Sequence, residues 1–334
     1  MNNYDFGAPS VYGEENRIKG FRSAQNRVAI LMFLMLFTEF AASTLMIVLM
    51  TVFPKMQEDA FKYELMQMLL YLSYIALPVF LFGVISGKRP GNYFSFRRGR
   101  KNTVAVGFAT MGAVYFAQLV AAVVSELLGR AGANTDVGAL TDTADPAVLV
   151  LRFVYIAVLP AIFEELMTRG IVLGELLPYG KGFAIITSGL LFGLMHMNPV
   201  QLPFAFIAGT AMAYAVVYCG TLRVSIVVHF VNNLLSVVLT ALPNFLPEDI
   251  VIYIEAVITA FIFIAGTFAA IRLLKHKDEE REQNGGALCT ECGEPYKVDM
   301  RDAPLKKISP LLYIYAAAAV IMTVFTLITT SLLP

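Results

Sequence analysis

Two adjacent carboxylates and an arginine stand at the end of an otherwise apolar run. The run extends from Ala147 to Phe163, and Glu164, Glu165 and Arg169 follow it. Ionised side chains in a bilayer are costly unless they pair or face a wet cavity. In a helix, Glu165 and Arg169 are i,i+4 neighbours that can form an ion pair, while Glu164 is rotated by about 100° and can point elsewhere. The pattern predicts one structural and one chemical carboxylate; the competing interpretation is a helix end whose charges are solvated.

Two of the three histidines also lie in apolar runs. Phe192 and His196 are four residues apart, as are His229 and Asn233, so each pair shares one face of a helix. A lone histidine in a membrane helix is often only a hydrogen-bonded contact. Two histidines together with the Glu pair and an amide favour one shared polar site. At about 1.5 Å per residue, these groups reach a similar depth in the cytoplasmic half of the membrane.

These residue types suit hydrolysis of an acyl bond by water. A carboxylate and an imidazole can hold and deprotonate one water. A histidine and an asparagine amide can donate hydrogen bonds to a developing oxyanion, a contribution of about 2.7–4 kcal/mol per donor. Neither a serine nor a cysteine is placed with a histidine as an evident nucleophile, and the apolar neighbours of Cys219 favour an inert thiol.

The composition excludes an ordinary soluble domain. Hydrophobic residues make up 57% of the chain and charged residues 15%, and the mean hydropathy is +0.67. Several apolar runs approach or exceed the ~20 residues that a membrane span requires. We therefore predict an all-α fold, a polytopic bundle of eight or nine transmembrane helices. The net charge of zero carries no signal, and three cysteines provide no disulfide framework.

The apolar pattern divides the chain into six parts. These are a cytoplasmic tail (1–27), three transmembrane helices (28–128), a core with the polar motifs (147–242), a further helix (250–274), a charged cytoplasmic segment (275–309) and a C-terminal helix (310–332). The nine predicted spans are 28–53, 63–87, 103–128, 147–174, 183–198, 200–219, 224–242, 250–274 and 310–332.

Basic residues indicate the orientation of the chain. With the N-terminus inside, nearly all Lys and Arg residues fall on the cytoplasmic side, and the exceptions on or near the outside are Lys55, Lys62, Arg130 and Arg152. This is a positive-inside pattern. We expect a multi-pass protein of a cell membrane, the bacterial plasma membrane, with a cytoplasmic N-terminus.

In sequence order the three motifs resemble those of the CPBP family (CAAX-processing and bacteriocin-processing, also called Abi) of intramembrane endopeptidases. That family shows Glu-Glu-x-x-x-Arg, then Phe-x-x-x-His, then His-x-x-x-Asn on separate transmembrane helices. Here they read Glu164-Glu165…Arg169, Phe192…His196 and His229…Asn233 without substitution. The resemblance covers about 147–242.

The resemblance implies a role for each motif. Glu164 and His196 activate the water, His229 and Asn233 form the oxyanion site, and Glu165, Arg169 and Phe192 support them. The family is usually called a metalloprotease, and Glu164, His196 and His229 could bind Zn²⁺ with one open position. No His-Glu-x-x-His pattern lies on one helix, so the sequence leaves metal dependence open.

The expected activity is that of an intramembrane endopeptidase resembling CAAX prenyl proteases. It would cut a peptide or protein substrate at the membrane, within the lipid bilayer, with no nucleic-acid partner; a homodimer is an open expectation. A non-proteolytic bacteriocin-immunity or membrane-binding protein on the same fold is the alternative. A proton-relaying transporter is a third reading, but such proteins more often show an internal repeat, and none is evident here.

A cysteine motif lies in the charged segment. Cys289 and Cys292 resemble one knuckle of a zinc ribbon, but a structural zinc site needs four ligands and this chain offers no second pair. An unligated knuckle, a zinc site shared between chains and a redox role all remain open.

Overall fold

The structure is a computed structural model that describes residues 14–87, 90–93, 96, 98–99, 102–133, 143–283 and 308–332. Within these ranges the chain is helical and contains no strand. The predicted helical membrane bundle is therefore confirmed. Cys289 and Cys292 lie outside the described residues.

Nine helices build the described part of the bundle. They are α1 (Glu14–Val52), α2 (Ala60–Ser86), α3 (Thr103–Arg130), α4 (Pro146–Tyr179), α5 (Lys181–Leu194), α6 (Gln201–Cys219), α7 (Arg223–Ala241), α8 (Glu248–Gln283) and α9 (Pro310–Leu332). Among the described residues, eight helices are long and apolar enough to cross a membrane, and α5 is the shorter apolar helix. The chain is a multi-pass membrane protein.

The first helix begins earlier than the sequence predicted. Residues 14–27 were expected to form part of a cytoplasmic tail, but they are the first turns of α1. Phe21 and Ala24 are fully buried there, and the Gln25 side chain accepts a hydrogen bond from the backbone of Ser309 at the start of α9. Arg27 forms an ion pair of 2.6 Å with Glu175. Polar residues in this stretch are paired with other helices, which hydropathy alone cannot show.

Helix α8 extends beyond its predicted end. The apolar run stops near residue 274, but the helix continues to Gln283 through a strongly charged sequence. Lys, Glu, Gln and Arg are good helix formers, so the helix persists after the residues suited to the bilayer have ended.

Helix α5 is too short to cross the membrane. Its 14 residues rise roughly 21 Å, against a hydrocarbon thickness of about 30 Å. The predicted span 183–198 therefore ends at Leu194. A turn follows in which Met197 has a positive φ of 46° and Asn198 accepts hydrogen bonds from the backbone N–H groups of Val200 and Gln201. This turn carries His196.

Small residues let α5 and α6 approach each other closely. A Cβ atom built on Gly209 would lie 2.9 Å from the ring of Phe192 and 3.1 Å from the guanidinium of Arg169. A Cβ atom on Gly189 would lie 2.8 Å from the backbone nitrogen of Thr210. In a bilayer no hydrophobic effect drives helices together. Helix pairs there are often packed through glycines, which let the two backbones approach closely. This packing places α6 against Phe192 and Arg169, two of the motif residues.

Helix α4 is not a regular α-helix. It contains two π-helical segments, Phe153–Val158 and Leu166–Val172. Such segments are rare and frequent at functional sites. Here one precedes Glu164 by a turn and the other begins directly after Glu165, so the irregular backbone brackets the two carboxylates.

Candidate active site

The three motifs converge on one cavity. Its volume is about 540 Å³, and its walls come from α2, α3, α4, α5, α6, α7 and the turn after α5. Glu164, His196, His229 and Asn233, the four residues predicted to be catalytic, all line it together with Phe192. The sequence predicted their similar depth, and the packing of α4, α5 and α7 brings them together laterally.

Glu164 faces the cavity with a largely buried carboxylate. The residue is 8% exposed, and its Oε1 atom accepts a hydrogen bond of 2.9 Å from the Tyr71 hydroxyl of α2. Its Oε2 atom lies 3.9 Å from Nε2 of His229. One carboxylate oxygen is therefore held by a tyrosine while the other faces an imidazole across a gap.

Glu165 points away from the cavity and forms a buried ion pair. Its Oε1 atom accepts a hydrogen bond of 2.8 Å from Nη1 of Arg169, and neither side chain has exposed area. This is the i,i+4 contact that the spacing predicted. The same oxygen also lies 2.9 Å from Nδ1 of His229, a contact that the sequence did not predict. Glu165 therefore joins the first motif directly to the third.

The Phe192 ring lies between the other motif residues. The Arg169 guanidinium carbon is 4.1 Å from its centroid, a cation–π arrangement. The ring also makes edge-to-face contacts with both imidazoles, at centroid distances of 5.0 Å for His196 and 5.9 Å for His229. Phe192 thus fixes the spacing of the two histidines and covers the buried arginine.

Hydrogen bonding decides which ring nitrogen of each histidine carries a proton. Nδ1 of His229 faces the Glu165 carboxylate, and Nδ1 of His196 lies 2.7 Å from the Phe192 carbonyl oxygen. Because an ionised carboxylate and a carbonyl only accept, both Nδ1 atoms are assigned as donors. The Nε2 atom of each ring is then left for the cavity, and that of His229 faces Glu164.

A proline explains the position of Asn233. In a helix the carbonyl of Ile156 would accept from the N–H of residue 160, but Pro160 has none. The Asn233 amide donates a hydrogen bond of 2.9 Å to this carbonyl and so connects α7 to the irregular part of α4. Asn233 therefore has a structural contact as well as a place in the cavity wall.

A chain of amides continues from Asn233 to α3. Asn232 donates to Oδ1 of Asn233 at 3.0 Å, and Gln118 donates to Oδ1 of Asn232 at 2.9 Å. Because the Ile156 carbonyl can only accept, it fixes the orientation of each amide in turn. One hydrogen of the Asn233 amide is used by this carbonyl, and the second is available to the cavity.

A second buried polar network supports the cavity from the other side. Arg152 donates a hydrogen bond of 2.7 Å to Glu64 of α2, and the hydroxyl of Tyr155, which lines the cavity, also donates to Glu64. Arg152 is one of the residues that the charge count assigns to the outer side of the membrane, and it is 4% exposed within the bundle. A charge count alone cannot distinguish an arginine that is paired inside a bundle from one in a loop.

The donor geometry does not favour a metal site as the side chains stand. Among the described residues, no group of three His, Cys, Asp or Glu side chains is arranged to hold a metal ion. Tetrahedral zinc with bonds of about 2.0–2.2 Å places two ligand atoms about 3.3 Å apart, whereas Oε2 of Glu164 and Nε2 of His229 are 3.9 Å apart. Glu164 and His229 would have to move closer together to ligate one zinc ion.

Comparison with known families agrees with the motifs. Residues 146–235 match the family described as type II CAAX prenyl endopeptidase Rce1-like. The resemblance to CPBP proteases is thereby confirmed for this segment. At family level the match supports an intramembrane endopeptidase of the CAAX-protease type. No curated protein and no solved structure matches the chain.

Sequence reasoning missed one cavity residue each on α2, α3 and α7. Tyr71, Gln118 and Asn232 line the cavity, and the first two lie outside the matched segment. Gln118 could have been identified from the sequence, because it is an amide within an apolar span. A tyrosine in a membrane helix carries much less, because its ring suits an apolar environment.

We predict that Arg169→Ala strongly destabilises the fold, because it leaves the Glu165 carboxylate buried without its cation. Breaking a buried ion pair in this way costs about 3–5 kcal/mol. The measurement is thermal unfolding of the purified protein in detergent.

Arg130→Ala is the matched control. Arg130 pairs with Glu126 at the same i,i+4 spacing, but both side chains are well exposed, at 75% and 64%. Exposed pairs contribute little, so this variant should melt close to wild type. Equal melting temperatures for the Arg169 and Arg130 variants would contradict the structural role of Glu165 and Arg169.

Proposed function

We propose that the protein is an intramembrane endopeptidase that hydrolyses a peptide bond of a membrane-associated substrate with an activated water. One observation carries this proposal: Glu164, His196, His229 and Asn233 line the same cavity within the bundle. The family match over 146–235 supports the same reaction class.

In this proposal Glu164 and His196 hold the attacking water. Oε2 of Glu164 is not used by Tyr71, and Nε2 of His196 is the acceptor when Nδ1 donates to the Phe192 carbonyl. A water that donates one hydrogen to each acceptor directs an oxygen lone pair at the carbonyl carbon. Glu164 then takes the proton as general base.

The oxyanion is stabilised by donors from α7. Asn233 has one amide hydrogen left after its bond to Ile156. His229 can donate from Nε2 when it is protonated, and the Glu165 carboxylate beside Nδ1 balances the charge of that imidazolium. Donors placed in advance at the developing charge are worth about 2.7–4 kcal/mol each.

The charges of the site suit this division of roles. Glu164 and Glu165 bring two carboxylates and Arg169 one guanidinium, so a proton on His229 makes the group electrically neutral. Glu165 then acts as the residue that orients the imidazole. Glu164 remains the group that contacts the water.

Glu164→Gln should abolish cleavage and leave the fold intact. The amide keeps the shape of the side chain but cannot take a proton, so we expect an uncut precursor to accumulate. The measurement is quantitative membrane proteomics of cells carrying wild type or the variant, followed by cleavage of the identified precursor with purified protein.

Glu126→Gln provides the control for that experiment. It removes an exposed carboxylate far along α3, at the end of the helix, and should cleave as wild type does. Wild-type rates of cleavage by Glu164→Gln would refute the proposal. A precursor profile that is the same in both strains would favour a binding or immunity protein on this fold.

Cleavage should continue in the presence of a metal chelator. The reason is that Glu164, His196 and His229 are not arranged as metal ligands in the structure. The measurement combines metal content by mass spectrometry with the cleavage rate of purified protein before and after chelation. Stoichiometric zinc whose removal stops cleavage, and whose addition restores it, would replace the general-base mechanism with a metal-dependent one.

A further inference from the structure

Tyr71 contacts the proposed general base from outside the matched segment. Its hydroxyl donates a hydrogen bond of 2.9 Å to Oε1 of Glu164 across 93 positions of sequence. Helix α2 belongs to the N-terminal part of the chain, whereas the family match begins at residue 146. The tyrosine is thus a part of the site that the motifs do not include.

The ring of Tyr71 is held in place by its neighbours on α2. It packs edge-to-face against Tyr74, with centroids 5.1 Å apart. A proline at position 78 of this helix leaves the carbonyl of Tyr74 without its usual N–H donor. The Thr38 hydroxyl of α1 lies 2.9 Å from that carbonyl and can donate to it. The turn of α2 that carries both tyrosines is therefore anchored to α1.

The orientation of a glutamate carboxylate depends on a hydrogen bond such as the one that Tyr71 donates. Rotation about the last side-chain bond of glutamate is broad, so packing around the aliphatic part does not by itself decide where each oxygen points. A donor on one oxygen fixes the plane of the carboxylate. With Oε1 held by Tyr71, Oε2 is the oxygen that faces Nε2 of His229 at 3.9 Å.

We propose that Tyr71 is a positioning residue for the reaction, which holds Oε1 of Glu164 so that Oε2 faces the water. This inference rests on the proposed function. Tyr71 does not contact the water in this arrangement and acts only through Glu164. Because small errors in the placement of reacting groups reduce rates strongly, its hydroxyl should matter for turnover more than for binding.

The test uses the purified full-length protein and the precursor found with Glu164→Gln. Tyr71→Phe should lower kcat about tenfold or more, the effect of losing a hydrogen bond to a charged group. KM should stay within about twofold of wild type, because no contact with the substrate is lost. Tyr74→Phe is the matched control: it removes a hydroxyl from the tyrosine in edge-to-face contact with Tyr71, and should leave both constants unchanged.

A double-mutant cycle separates positioning from a general loss of structure. In Glu164→Asp the shorter side chain is drawn away from the Tyr71 hydroxyl. Adding Tyr71→Phe to this variant should then lower its residual kcat less than twofold, because contacting residues are not additive. A tenfold loss in both backgrounds would show that Tyr71 acts through the fold and would overturn the inference.

The outcomes also separate this inference from the proposed function. If wild type cleaves, Glu164→Gln does not, and Tyr71→Phe keeps the wild-type kcat, then the proposed function stands and the role of Tyr71 is refuted. If Glu164→Gln cleaves like wild type, the proposed function fails and the inference fails with it.

Discussion

The site depends on one buried carboxylate oxygen. Oε1 of Glu165 accepts hydrogen bonds from Nη1 of Arg169 on its own helix and from Nδ1 of His229 on α7. An uncompensated charge at this depth would be severely unfavourable, so the carboxylate, the guanidinium and the imidazole depend on one another. The contact orients the His229 ring, and the ring's other nitrogen then faces Glu164.

Irregular backbone segments of the bundle lie next to the cavity. The bilayer interior offers no water to unpaired backbone groups, so such groups are tolerated only inside the protein or beside a cavity. Here the Ile156 carbonyl, freed by Pro160, is paired with Asn233, and the turn after α5 is capped by Asn198. A polar side chain compensates both of these irregularities, and both segments carry or adjoin active-site residues.

The sequence was sufficient to predict that the motif residues meet but not how they contact each other. Spacing along a helix predicted the contact between Glu165 and Arg169, because i,i+4 geometry is local. The contact between Glu165 and His229 depends on how α4 and α7 are rotated against each other, and no local pattern encodes that rotation. The role of Phe192 as a spacer between Arg169 and the two imidazoles is likewise a property of packing.

Helix limits were predicted less well where polar residues pair inside the bundle. Hydropathy treated residues 14–27 as a tail because it could not show that Gln25 and Arg27 find partners on other parts of the chain. It also extended α5 through His196, since Met195 and Met197 continue the apolar run beyond Leu194. The π-helical segments of α4 had no sequence signal beyond Pro160, which marks only the first of them.

The protonation of His229 tests the central claim most directly. Nitrogen-15 NMR of labelled protein can assign this residue, because the chain has only three histidines and the signal disappears in His229→Asn. The account predicts a protonated, hydrogen-bonded Nδ1 at neutral pH, and it predicts that Glu165→Gln changes this signal while Glu126→Gln does not. An unprotonated Nδ1 in the folded wild-type protein would contradict the arrangement on which the proposed mechanism depends.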